Sequence, residues 1–158
     1  MTSNQNVLIR EATIQDLEPV AQLFDAYRQF YEQAPDIELA KAFIAERLKN
    51  QDSTILLAIN SAQKIIGFCQ LYPTFCSVIA APICVLYDLF VDSSIRKTGA
   101  GKALMLAAHE YAAKNGFKRL DLTTAKNNVK AQALYESLGW VRNEVFYAYN
   151  KEIITSIN

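Results

Sequence analysis

One histidine, one tryptophan, three cysteines and five glycines leave this 158-residue chain little material for several common chemistries. His109 has no second histidine to share a metal with, and it sits off the apolar face of its helix beside Lys102, Leu106 and Ala113, as a surface residue does. Cys69, Cys76 and Cys84 are odd in number and lie among Ile, Val, Phe and Ala, which suits neither a disulfide framework nor a zinc knuckle. They read as reduced, buried or half-buried thiols, and no metal site is expected. An excess of either charge is also missing, with 16 basic against 16 acidic residues, so nothing in the overall field attracts nucleic acid or an anionic membrane. No run approaches the roughly 18 apolar residues of a membrane span, and Met1 to Asn6 lacks the pattern of a secretion signal. A cytoplasmic protein is expected.

What the chain does have is a globular composition: 51% hydrophobic and 11% aromatic residues. That is enough for one domain over residues 1–158 with its core at about 7–152. Val7 to Ala12 reads as a strand, and Thr13 with Asp16 starts a helix whose buried face is Leu17, Val20, Ala21, Phe24, Tyr27 and Tyr31. Asp36 caps a second helix to about Asn50, carrying Leu39, Phe43, Ile44 and Leu48. Thr54 to Ile59 and Ile65 to Tyr72 form a hairpin, and Pro73 and Pro82 bracket an irregular stretch. Ile83 to Asp92, apolar almost throughout, is expected as the central strand. Helices follow at about Gly99 to Asn115 and Asn128 to Leu138, separated by a strand at Leu120 to Thr124; Trp140 to Lys151 supplies one or two final strands. The order predicts an α/β domain with a mixed sheet.

The chemistry concentrates after the apolar strand, where Asp88 to Lys102 joins it to a helix through a basic, glycine-bearing loop. The first N–H groups of a helix have no intrahelical partners and point to a common positive spot, so such a loop suits phosphate. Arg96, Lys97 and Lys102 add charge, and Gly99 and Gly101 let the backbone come close. A nucleotide P-loop would need Ser or Thr after Gly101-Lys102 and Gly at position 96, where Ala103 and Arg96 stand. A dinucleotide fingerprint lacks its third glycine at Leu104, although Asp121 lies at a suitable distance.

The remaining pattern, Arg96-x-x-Gly99-x-Gly101, resembles the pyrophosphate loop of the GNAT acetyltransferases. Asn128-x-x-Ala131-x-x-Leu134-Tyr135-x-x-x-Gly139-Trp140 resembles their second signature. The likeness extends from Ile9 onward, and over much of its length the chain is similar to spermidine/spermine acetyltransferase and to fungal histone or amino-acid acetyltransferases. It implies a GNAT fold: a mostly antiparallel twisted sheet flanked by helices, with two splayed central strands. It also implies acetyl-CoA as co-substrate. Leu89, Phe90 and Val91 would hold the pantetheine arm through main-chain groups, aided by a β-bulge that aims an N–H at the thioester oxygen. Arg96, Lys97, Thr98, Gly99, Ala100, Gly101 and Lys102 would hold the pyrophosphate.

Asn128 and Ala131 would meet the coenzyme arm, Asn128 also being suited to cap its helix. Tyr135 matches the general acid for the departing thiolate. Asp88 is either the base that takes the amine proton or a carboxylate satisfied at a strand end. Tyr27, Tyr31, Tyr72 and Tyr87 are candidates for the acceptor side, against the alternative of ordinary packing. Tyr87 stands where the polyamine enzymes carry an acidic residue, which argues against a polycationic acceptor. A small amine or a lysine side chain is expected as substrate, and the aromatic run Val145 to Tyr149 suits a homodimer. The alternative is a coenzyme A-binding sensor or scaffold without turnover.

Overall fold

The computed structural model describes residues 6–95 and 98–155, so Arg96 and Lys97 lie outside the described residues. The first strand, β1 (Leu8–Glu11), leads through Thr13 to a single 3-10 turn at Ile14–Asp16 and then to helix α1 (Leu17–Phe30). Asp16 organises this entry. It accepts from the Thr13 N–H at 2.8 Å and from both terminal nitrogens of Arg10 at 2.8 Å. Arg10 holds the Asp16 carboxyl down at about 2.

Helix α2 (Ile37–Asn50) is capped as expected, the Asp36 carboxylate accepting from the Leu39 N–H at 3.0 Å. Buried Asp25, near the end of α1, accepts from the Asp36 N–H at 3.0 Å as well as from Arg28 and Gln29, which ties the two helices together. The expected faces hold in their middles and fail at their ends. Val20, Ala21, Phe24 and Ile44 are buried, whereas Tyr31 and Leu39 are exposed because each lies at a helix terminus.

Four strands, β1, β2 (Thr54–Ile59), β3 (Ile65–Cys76) and β4 (Ala81–Val91), pair antiparallel in sequence order, and β5 (Leu120–Asp121) joins β4 in parallel. The mixed sheet is therefore mostly antiparallel. Its middle position belongs to β3; β4, expected to be central, lies one place towards the β5 edge. The second correction concerns Pro73 and Pro82, which lie within β3 and β4 rather than around an irregular stretch. Pro73 is tolerated because β2 has already ended opposite Leu71, so no donor is needed on that side. Pro82 faces β5 with its peptide, and its carbonyl accepts from the Lys118 N–H at 3.0 Å.

The sheet is covered on both faces. Val20, Leu23, Phe24, Ala40 and Ile44 pack with Ile55, Leu57, Ile59 and Phe68 on one face. Helix α3 (Ala100–Lys114) contacts β2, β3 and β4 and buries Leu104, Met105, Ala108 and Ala112. Alternation along β2 sends Leu57 to the first face and its buried neighbours Leu56 and Ala58 to the second. Tyr111, expected in the α3 face, is half-buried and accepts from the Thr54 hydroxyl at 2.7 Å.

The chain divides between Thr123 and Thr124 into two compact units. The second contains helix α4 (Val129–Ser137), begun by Asn128 and ended by Gly139 at φ +88°. The expected strands in Trp140 to Lys151 do not form. The run has the composition of a strand, but a strand needs a ladder partner, and Val145, Phe146, Tyr147 and Tyr149 all stay exposed.

Candidate active site

Strand β4 changes character at Tyr87. Before it, Leu86 stands opposite Leu71; after it, Asp88 stands opposite Gln70, so Tyr87 is an extra residue in the ladder. This is a β-bulge. On the β5 side, β4 is paired only at Cys84 and Val85, and the two strands part beyond that point. The Asp92 N–H donates to the Ile66 carbonyl at 2.8 Å, which sets the alternation: Asp88 and Phe90 turn their peptide groups to β3, and Leu89 and Val91 turn theirs to the unpaired side. A stretch of strand edge thus lies open among the described residues, at the positions expected to meet a pantetheine arm. Phe90 differs from its two neighbours, since its peptide belongs to the ladder and its ring packs with Tyr27 and the core around Phe68.

The ladder is tight where this edge is made. A Cβ added to Gly67 would come within 2.9 Å of the Phe90 carbonyl oxygen, so only glycine lets β3 approach β4 there. The glycine-bearing segment that leads into α3 follows the edge. Asp92 accepts from the Ser94 N–H and hydroxyl at 2.9 and 2.7 Å. Gly99 opens α3 at φ +75°, and beyond its own chain neighbours no described atom is found within 4 Å of where a Cβ would stand. Thr98 accepts from the Ala100 N–H at 3.3 Å. Gly101, expected in the loop, lies inside the first helical turn with Ala100 and Lys102, and that turn carries no acidic residue. Its N–H groups lack intrahelical acceptors.

Asp88 is 3% exposed, and burial pushes its carboxyl above the ordinary range. Two donors act against that shift. The Gln70 amide donates to Asp88 Oδ2 at 2.7 Å, and the Tyr27 hydroxyl stands close enough to stabilise the charge in part. The one Tyr27 proton is shared with the Tyr87 carbonyl, which accepts from it at 3.4 Å at the bulge. Burial first, then the Asp88 charge, pushes the Tyr27 and Tyr72 hydroxyls upward.

All four acceptor-side tyrosines fall in this unit. Tyr27 meets Tyr31 edge-on at 5.1 Å between ring centroids, and Tyr72 meets Tyr87 edge-on at 5.6 Å. Tyr27 and Tyr72 are half-buried, while Tyr87 and Tyr31 reach solvent. On the same α1 side, a cavity of about 290 Å³ adjoins Phe90 and Asp92, walled by Pro19, Leu23 and Ala26. Sequence reasoning missed Gln70 and Ser53. The one available signal was a polar residue in the otherwise apolar run Ile65 to Leu71.

In the second unit, Asn128 does cap α4, its side chain accepting from the Ala131 N–H at 3.4 Å. Tyr135 lies on α4 with its ring 6.3 Å from that of Trp140, whose N–H donates to the Tyr135 carbonyl at 3.0 Å. Cys69 and Cys84 are buried and their thiols pushed up to about 12 and about 11, whereas Cys76 is half-buried and lowered by nearby backbone N–H groups and Arg119. His109 is exposed. Among the described residues no group of three or more His, Cys, Asp or Glu is disposed to hold a metal ion. No helix among them is long and apolar enough to cross a membrane.

Known proteins share both the sequence and the architecture. The family model of the acetyltransferase (GNAT) family matches residues 18–140. An uncharacterized N-acetyltransferase, YhfO, of Bacillus subtilis is 46% identical over 141 residues, covering 89% of this chain and 94% of that protein. A probable acetyltransferase of Haemophilus influenzae is 30% identical over 81% of this chain and 86% of its own length. Among solved structures, that of a probable acetyltransferase superimposes with a TM-score of 0.87 at 31% identity, covering 94% of this chain and 99% of the other. The α/β fold with its mixed sheet is therefore the GNAT fold. With the opened strand edge, the bulge and the glycine-led helix all in one unit, the chain belongs to the GNAT family and is an N-acetyltransferase.

Proposed function

We propose that the protein transfers the acetyl group of acetyl-CoA to a primary amine, of a small molecule or a lysine side chain, by direct attack with both substrates bound. The observation that carries this reading is the buried Asp88 at the bulge of a strand whose outer edge, among the described residues, is unpaired from Leu86 to Val91. The residues present suit the coenzyme. Leu89 and Val91 offer an N–H and a carbonyl each on the open side, as an added strand-like arm requires. Thr98 to Lys102 offer backbone donors at a helix start without acidic side chains, and Arg96 and Lys97 supply charge for a pyrophosphate. Acetyl-CoA, when bound, supplies the activated acyl group.

The acceptor arrives mostly as an ammonium, since an alkylamine has a pKa near about 10.4. The ammonium loses one proton to solvent before attack, Asp88 takes the second as the N–C bond forms, and a carboxyl raised by burial suits that task better than an ordinary one. As the C–S bond breaks, Tyr135 gives its hydroxyl proton to the leaving sulfur and regains one from solvent. Tyr27, Tyr31, Tyr72 and Tyr87 form the acceptor's surroundings, where aromatic faces attract a cation. Asn128 and Ala131 take the coenzyme arm. Two copies pairing through Val145 to Tyr149, and a reducing cytoplasm for the three unpaired cysteines, complete the reading.

Thiol release from acetyl-CoA across polyamines, amino acids, aminoglycosides and lysine peptides tests the reaction. Turnover on one class, reduced about 10²-fold or more in Asp88→Asn and in Tyr135→Phe, supports it. Silence across the panel from protein that binds coenzyme A in titration calorimetry would sink it.

A further inference from the structure

We propose that Gln70, held in place by Ser53, is a positioning residue that orients the Asp88 carboxylate and sets the pH at which it takes the acceptor's proton. The proposal rests on the reading of Asp88 as the base. Gln70 is fully buried on β3, between Cys69 and Leu71, and a buried amide is costly unless both of its ends are bonded. Both are. Its amide nitrogen donates to Asp88 Oδ2 at 2.7 Å, and its carbonyl oxygen accepts from the Ser53 hydroxyl at 2.8 Å.

The register explains why this pair exists. Gln70 and Asp88 are the last opposed residues before the bulge, on the sheet face that also carries Phe68 and Phe90. Skipping Tyr87 keeps Asp88 facing Gln70 instead of following Leu86 to the opposite face. The amide has only one workable orientation. An ionised carboxylate can only accept, and Ser53 donates to the Gln70 oxygen, so the NH₂ must point to Asp88. Ser53, just before β2, thereby fixes the rotamer of a residue that in turn fixes the base.

Among the described residues, the side chains that hydrogen-bond to Asp88 are an amide and a phenol rather than cations. Gln70 comes from β3 and Tyr27 from α1; Tyr72, also on β3, feels the Asp88 charge, and Arg47 and Asp52 act on Tyr72 behind it. A cation bonded to Asp88 would hold its proton affinity too low for a base. A neutral amide offsets the burial penalty only in part, which leaves the carboxylate charged yet willing to accept a proton.

The test uses the full-length protein and two readouts: the NMR titration of the Asp88 carboxyl carbon without substrate, and the acid limb of kcat/KM for the amine acetylated fastest. In Gln70→Leu both midpoints are expected to rise by about one to two pH units, with coenzyme A affinity unchanged. Gln70→Glu is expected to raise them further, because two facing carboxyls share a proton. Ser53→Ala, which leaves Gln70 in place and disturbs the fold least, is expected to raise them by a few tenths of a unit. An unmoved carboxyl titration in Gln70→Leu and Ser53→Ala, both shown to be folded, would overturn the proposal. A carboxyl titration that moves while the kinetic limb stays would overturn it differently, showing that Gln70 tunes Asp88 but that Asp88 is not the base.

Discussion

The two halves of β4 differ more than their sequences suggest. Ala81 to Leu86 is paired with β3 on one side and, at Cys84 and Val85, with β5 on the other; among the described residues Asp88 to Val91 is paired with β3 alone. Apart from Asp88 both halves are apolar, and both rest on β3. One extra residue, Tyr87, and a neighbour that stops after two residues turn the second half from a piece of sheet into an edge with bonding groups to offer. The function-bearing part of this sheet is thus defined by what fails to pair, while the completed ladder beside it supplies rigidity.

The sharpest way to break the contrast is to place proline at adjacent positions. Phe90→Pro removes a ladder bond and a core ring, an expected loss of about 3–5 kcal/mol that should abolish the cooperative thermal transition. Val91→Pro removes only an outward N–H, so its melting temperature should fall by a few degrees while coenzyme A affinity in titration calorimetry falls about tenfold. Equal effects from the two would show that the edge is not open on one side. Gly67→Ala attacks the ladder from β3. Its Cβ meets the Phe90 carbonyl oxygen at 2.9 Å, and the expected cost of about 1–3 kcal/mol lowers the melting temperature by about 3–10 °C.

A smaller effect comes from Asp88 itself. Its folded-state pKa is raised, so the native state holds the proton more firmly than the unfolded chain, and stability falls as pH rises from the unfolded value near about 4 through the folded value. Asp88→Asn should therefore melt about 2–4 °C higher than the parent at pH 8, with the gain disappearing below about pH 4. A lower melting point at pH 8 would show that the Gln70 bond outweighs burial. Thiol labelling gives the smallest and cleanest signal. Cys84 in the doubly paired half and Cys69 opposite Leu89 should resist a disulfide reagent at pH 8, while Cys76 near the hairpin turn reacts first.

Much of this arrangement was legible in the residues. The Asp36 cap, the hairpin joining β2 to β3 and the Asn128 cap follow from local hydrogen bonding and φ preferences, and each stands where it was expected. Pro73 misled because a proline is a strand breaker only where a neighbour needs its N–H, and no local pattern tells where β2 ends. The aromatic tail misled for the converse reason: strand-like composition without a ladder partner remains irregular.

The helices, the glycine-led loop and the two signatures that assign the family were settled by residues only a few positions apart, and so could be read from the chain alone. That Tyr87 bulges, that the edge beyond it stays open, and that Gln70 and Ser53 reach Asp88 came only with the folded sheet. The bonds from Gln70 to Asp88 and from Ser53 to Gln70 join residues 18 and 17 positions apart through strand register, and register is set by the packing of whole faces, not by any one segment.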